Sequence, residues 1–314
     1  MCCSAAKRRG TIVPTPDELF RRSQRELRRN IGRYEREAIS IYKAVREDIK
    51  RELSRAFEKY GDSDGVLTRA DMTKYNRLGS LEKKLNKLVG DGTRKARGLQ
   101  TRASREQVNE SFYRHGWAID NAMGARLNWG ELSDDVIQAA VQNDLGRIAA
   151  RRLRETSRER IQRTLAQGLT RGDSYPKMAR EIEQAINGNR SDAMRIVRTE
   201  AGRAQSIGAQ KSYERAQEQG VEGREIWVAT LDERTRISHG ELDGEPKNDE
   251  HDGWRVPGTN MWTPGPRQSG IPEFDINCRC TTIFDVPDLE MQARRIRGDD
   301  IQPYQRYDDW RREH

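Results

Sequence analysis

The stretch DELFRRSQRELRRNIGRYEREAISIYKAVREDIKRELSRAFEKY, residues 17–60, decides how the rest of the chain is read. Its apolar members are Leu19, Phe20, Leu27, Ile31, Tyr34, Ala38, Ile41, Tyr42, Val45, Ile49, Leu53, Phe57 and Tyr60, and spacings of three and four dominate. That period lays one apolar stripe along an otherwise charged helix. Asp17 is placed to cap it, and Gly32 is where it is expected to divide in two. A helix this long does not suit an average globular domain, so it is expected to pack along neighbours as a bundle or stalk. The fold class that follows is mainly α: an elongated helical amino-terminal region with a small α+β carboxy-terminal module.

Working outward, the same reading continues. Residues 69–98 read as a helix pair, with a turn at Gly90-Asp91-Gly92, and 104–127 as a further helix. Ser133 is placed to cap a helix over 133–165, with Asp134 and Asp135 in its first turn, where the helix dipole favours acids. Residues 175–187 read as a short helix ending at Asn187-Gly188-Asn189, and 192–219 as a longer one stopped by Gly220. Composition then changes. Ile226 to Leu231 reads as a strand, a short helix carries His239, residues 244–272 are Gly/Pro-rich loop, and Cys280 to Phe284 is a second strand. Four regions result: a flexible basic arm (1–16), a helical region (17–130), a module of helices and a small α+β unit (131–285, the unit at 221–285), and a charged tail (286–314), expected to be partly helical to Arg297.

Hydrophobic and charged residues each make up 34% of the 314 residues, against about 45–50% and about 25% in an ordinary globular chain. This is a thin-cored, heavily solvated molecule. Nothing approaches the length of apolar run that a membrane helix needs, and the start, Met1 to Arg9, has no apolar core of a secretory signal. Synthesis in a reducing cytoplasm fits four cysteines that fall in two close pairs, Cys2/Cys3 and Cys278/Cys280, rather than in a disulfide framework. Asp62, Asp64 and Asp71 fall partly on a calcium-loop template, but Tyr60 stands where its first ligand belongs, so a plain turn is expected.

The net charge of +8 is unevenly spread: 45 basic and 30 acidic residues over 1–220 (+15), 7 and 13 over 221–285 (−6), 6 and 7 over 286–314 (−1). Two regions with different partners are implied. Arg21, Arg22, Arg25, Arg28 and Arg29 in one basic helix, and Arg151, Arg152, Arg154 and Arg158 in another, are the candidates for phosphate contact on double-stranded DNA, without sequence preference.

The densest cluster of chemistry lies between Arg198 and Cys280. It contains Arg198-Thr199-Glu200, then Trp227-Val228-Ala229 running to Asp232-Glu233-Arg234-Thr235, then His239 and Leu242-Asp243-Gly244, and last Asn277-Cys278-Arg279-Cys280. Cys278 and Cys280 alternate so that both thiols reach one side of a strand. With His239 they make three ligands of a structural zinc site, and Asp243, His251 or Asp275 is available as the fourth. A reduced thiol pair in a small core and a strained Cys-x-Cys disulfide are the alternatives. Arg198, Glu200, Asp232 and Arg234 are expected to form a charge network joining the long helix to the strand–turn unit. No nucleotide-binding glycine loop or nucleophile elbow is present, so no catalytic residues are expected.

In this ordered set of blocks the chain resembles the phage minor head, or head morphogenesis, proteins of the phage Mu protein F type. The resemblance covers roughly residues 140–285 and rests on Arg198, Glu200, Trp227, Asp232, Arg234 and Asn277 together with the cysteines. Family members with Cys-x-x-Cys in place of Arg236 and His239 would complete a four-thiolate set; this chain departs from that pattern. The resemblance implies a minor capsid protein in a phage head interior, made in the host cytoplasm. Its partners would be the portal protein, the major capsid protein and packaged DNA, with no membrane contact, and a low-copy oligomer is allowed. The rival expectation is a metal-dependent nuclease or transferase built around His239, Asp243 and the cysteine pair.

Overall fold

Thr15, not Asp17, starts the first helix. Its hydroxyl accepts the Glu18 amide at 3.1 Å, and the Glu18 carboxylate accepts the Thr15 amide at 2.9 Å. This reciprocal cap, with Pro16 in the first turn, launches α1 (Pro16–Tyr60) as one unbroken helix of 45 residues. Gly32 does not divide it. The computed structural model describes residues 14–63, 66–286 and 311–313. The basic arm up to residue 13 and the helix expected towards Arg297 lie outside the described residues.

After α1 comes a turn in which the Asp62 carboxylate accepts the Val66 amide, and Thr68, whose own amide the Asp71 carboxylate accepts in return, caps the short α2 (Arg69–Thr73). A 3₁₀ turn leads into α3 (Arg77–Met123), 47 residues without interruption. The turn expected at Gly90-Asp91-Gly92 is absent. A Cβ at Gly92 would overlap Val45 Cγ2 on α1, so this glycine lets two helix backbones approach closely rather than reversing the chain.

Ser133 caps the next helix as expected, accepting the Val136 amide, but the expected single helix is two: α4 (Asp134–Val141) and α5 (Asp144–Arg171). Between them the Asn143 amide group turns aside to bond Glu200. α6 (Tyr175–Glu218) runs straight through the break expected at 187–189. At Gly32, at Gly90-Asp91-Gly92 and at 187–189 the local signal for a stop is outweighed by neighbours that bury one face of a continuous helix.

The helices α1, α3 and α6 pack lengthwise, and α5 lies along α6 and α3. At the far end Ile49, Leu53, Leu85, Ile161, Leu165 and Met178 share a core. At the near end the core holds Leu19, Phe112, Trp117, Trp129, Tyr213 and Phe284. A buried polar layer crosses the bundle near this second core. His115 Nδ1 donates to the Ser111 carbonyl at 2.7 Å, the Gln24 amide lies 3.1 Å from His115 Nε2, and Gln205 donates to Gln24 at 2.7 Å. Every ring nitrogen of the neutral imidazole is thereby used, and α1, α3 and α6 are held in one register.

The knob follows α6. Strands β1 (Arg224–Val228) and β4 (Thr281–Asp285) pair antiparallel, with Ile226 opposite Ile283 and Trp227 opposite Thr282. Two-residue strands β2 (Trp254–Arg255) and β3 (Trp262–Thr263) form a hairpin, and one-turn helices α7 (Ile237–Gly240) and α8 (Pro272–Asp275) close the unit. Its core is Trp227, Leu242, Trp254, Val256, Phe274 and the two cysteines. Tyr213 fastens it to α6, donating its hydroxyl to the Thr282 carbonyl at 3.0 Å and stacking on Phe284.

Candidate metal centre and nucleic-acid face

The turn after β1 sets the first ligand. Asp232 accepts the Arg234 amide at 2.9 Å, an arrangement that folds the chain tightly enough to begin α7 and bring His239 inward. Arg279 grips both oxygens of the same Asp232. The Arg279 guanidinium beside it holds the Asp232 carboxyl well below the usual carboxylate range. Because Arg279 stands between the two cysteines and points outward, alternation turns Cys278 and Cys280 inward.

His239, Cys278 and Cys280 meet there. One ligand atom from each lies within 4.8 Å of the others, and all three side chains are buried. His239 Nδ1 is 3.2 Å from Cys280 Sγ. Hydrogen bonding from Cys280, with His239 beside it, favours the ionised form of Cys278; the shared hydrogen bond and burial push the Cys280 thiol up. His239 Nε2 is buried with no partner among the described residues, while its ring lies 4.4 Å from that of Phe274. Two soft sulfur donors and one imidazole in a dry pocket suit zinc.

The described residues bring three donors together, not four. Asp243 is exposed, and one of its oxygens accepts the Ala229 amide at 2.8 Å, outside the trio. Asp275 spends its oxygens on the Ser269 amide and hydroxyl and on the Gly270 amide. His251 stacks on Trp262 at 4.0 Å. A zinc ion here would take its fourth ligand from elsewhere.

Arg198, Glu200, Asp232 and Arg234 do not make one network. Arg198 bridges to Glu35 on α1. Glu200, buried, accepts from Asn143 at 2.9 Å and lies 3.5 Å from Arg203, which in turn donates to the Ala140 carbonyl at the end of α4. Asp232 belongs to Arg279, and Arg234 is exposed. Trp227 fills the knob core, and the Asn277 amide reaches Thr199 on α6. Arg267 is a further link from knob to long helix. Its guanidinium is buried and donates to the Cys278 carbonyl at 2.8 Å and the Gly202 carbonyl at 2.9 Å. A Cβ on Gly202 would come within 2.6 Å of Arg267 Nε. Arg267 shares its Gly/Pro-rich loop with Arg255, and nothing in the sequence singles it out for this role.

The two sets of arginines differ. In α1, Arg29 is paired with Glu26 at 2.5 Å and Arg21 and Arg22 have partners of their own; burial and the like charges of Arg267 and Arg279 at the knob disfavour the charged form of Arg28, while Arg25 is exposed. In α5, Arg151, Arg152, Arg154 and Arg158 are all exposed, without an ion pair among the described residues. Spacings of three and four place Arg151, Arg154 and Arg158 on one face, with Arg152 about 100° away.

Long helices carrying one small knob with inward thiols are the build of an elongated, helix-based protein with a single appended module. Residues 159–283, which hold the end of α5, the whole of α6 and nearly all of the knob, match the family model described as Phage Mu protein F like protein. The chain is 27% identical over 291 residues to Minor head protein GP7 of Bacillus phage SPP1, covering 90% of this chain and 93% of that protein. It is 28% identical over 286 residues to NAD(+)--arginine ADP-ribosyltransferase EFV of Enterococcus faecalis, covering 90% of this chain but only 57% of that protein. An uncharacterized protein of Haemophilus influenzae shares 27% identity over 125 residues, 24% of its length. No solved structure matches the chain. No described helix is long and apolar enough to cross a membrane.

Proposed function

We propose that this chain is a minor component of a tailed-phage head. It sits inside the head near the portal, touches portal and major capsid protein in few copies, and contacts packaged double-stranded DNA without sequence preference. The role supports head assembly and the packaging or ejection of DNA, with assembly in the host cytoplasm. The observation that carries the reading is that similarity to a minor head protein runs the length of both chains, stalk as well as knob. The DNA face is the Arg151–Arg154–Arg158 side of α5, where guanidiniums without an ion pair among the described residues can displace counterions from phosphates. A structural zinc ion held by His239, Cys278 and Cys280 would brace a knob that has little apolar core.

Asymmetric electron cryomicroscopy of filled heads tests the placement: density for the rod beside the portal is expected, and its presence only on the outer shell would overturn it. For DNA, the expectation is that log Kobs falls with log salt, and that replacing Arg151, Arg154 and Arg158 by Ala flattens the slope by roughly 3 units. A salt-indifferent affinity contradicts the phosphate face. For zinc, elemental analysis of the chain purified without chelator is expected to give one ion, lost in the Cys278→Ser/Cys280→Ser double variant.

A nuclease or transferase around His239, Asp243 and the cysteines takes its support from the name of the Enterococcus relative, of which this chain spans little more than half. The buried trio, with Asp243 engaged elsewhere, favours holding over turnover. Metal-dependent activity lost on Asp243→Ala, with folding intact, would reverse that preference.

A further inference from the structure

A cleft of about 280 Å³ opens where α5, α6 and the knob meet. Its walls are apolar: Ile148, Ala149, Leu153 and Ile196 from the helices, Pro272 and Ile276 from α8 and the residue after it. Its floor carries two buried carboxylates, Glu200 and Asp275, and both are already answered, the first by Asn143 and Arg203, the second by Ser269 and Gly270. The floor therefore has no call for a cation. The mouth is different. Arg152 lines it, exposed and without an ion pair among the described residues.

The apolar surface also continues outward. Ile148 and Ile276 are 44% and 36% exposed at the rim. Arg236 donates to the Ile276 carbonyl at 2.6 Å and so ties in the turn that bears Leu231 and Ile237, which are 68% and 83% exposed. Four of the six large apolar side chains exposed among the described residues thus belong to the cleft or to the turn beside it. Exposed apolar surface gathered in this way marks a contact site.

We propose that this cleft docks a segment of a partner protein that presents a large apolar side chain flanked by acidic residues. The apolar anchor fills the walled space, which has room for one aromatic or branched side chain and a smaller neighbour. The acids meet Arg152 and the exposed Arg234 and Arg236 of the knob edge. A small carboxylate ligand would leave Leu231 and Ile237 uncovered; a basic segment would meet the like charges of Arg152, Arg234 and Arg236 and a saturated floor. Charge complementarity therefore selects an acidic protein segment. The inference stands apart from the DNA face, since Arg152 lies on a different flank of α5 from Arg151, Arg154 and Arg158.

The test uses the full chain and two fluorescein-labelled 14-residue helical peptides. One places Phe and Leu at helical spacing with Glu between them; the other has every Glu changed to Lys. Fluorescence polarisation is expected to show saturable binding of the acidic peptide, at least tenfold tighter than the Lys version. Ala149→Trp, which fills the cleft, and Ile276→Asp, a rim change that leaves the core untouched, should each weaken it at least tenfold. Arg152→Glu should narrow the preference for acid. Binding that ignores peptide charge, survives both cleft variants, or fails to saturate for either peptide overturns the proposal. So does sedimentation showing a dimer that Ile276→Asp dissolves, because the occupant would then be a second copy.

Discussion

Two buried titratable side chains pull stability in opposite directions. Burial pushes His115 down to about 4, and pushes Glu225 up to about 7 even though the Lys247 ammonium lies 3.1 Å away. His115 is neutral in the fold, so its contribution is full above the unfolded value near 6.5 and is lost as pH falls from there towards 4. Glu225 is favoured protonated, so its contribution is full below about 4.5 and is lost as pH rises through 7. Each is worth about 3 kcal/mol across its window, and the windows overlap. Urea titrations are expected to show little pH dependence between 4.5 and 7 for the native chain. His115→Gln should leave stability falling as pH rises, and Glu225→Gln should leave it rising. Equal slopes in both variants would count against this balance. At this scale the sequence showed the thiol pair, whose spacing is local, and offered His239, 41 residues before Cys280, as a third ligand. It hid the Gln24–His115–Gln205 layer and Arg267, since those partners come together only when distant helices pack.

Helix α3 offers a controlled comparison between two glycines of one element. Gly92 faces Val45, whereas a Cβ on Gly98 would meet nothing within 4 Å. Gly98→Ala is expected to stabilise by up to about 1 kcal/mol through helix propensity. Gly92→Ala gains the same propensity but drives α1 and α3 apart, for a net loss of about 1–2 kcal/mol. Thermal melting resolves the sign; stabilisation by both would mean that the helices do not approach as closely as described. The same contrast explains which boundaries were legible. The 3–4 spacing from Leu19 to Tyr60 and the Ser133 cap were readable because they are one-dimensional signals. Gly32, Gly90-Asp91-Gly92 and Asn187-Gly188-Asn189 carry the signature of stops, but packing along neighbouring helices keeps each helix going. The division after Val141 went unseen because its cause, the pull of Glu200 on Asn143, lies across the fold.

Across the whole molecule, side chains reach between bundle and knob from both sides, Tyr213 and Gln210 from α6 and Arg267 from the knob. Arg267→Met strips hydrogen bonds from the buried carbonyls of Cys278 and Gly202, at a cost of about 2–4 kcal/mol. Unfolding is then expected to split, the knob becoming open to proteolysis before the bundle melts; a single cooperative transition would show that other contacts suffice. The charge asymmetry was already plain in the sequence, and the fold gives it a physical form: guanidiniums on the long helices, acids on the knob. The account as a whole holds that this molecule works by joining components of a phage head. Quantitative mass spectrometry of density-purified, DNA-filled heads, with and without external protease, tests that most directly. The expected result is a few copies per head, protected until the capsid is opened; absence from the particles, or digestion while they are intact, would contradict it.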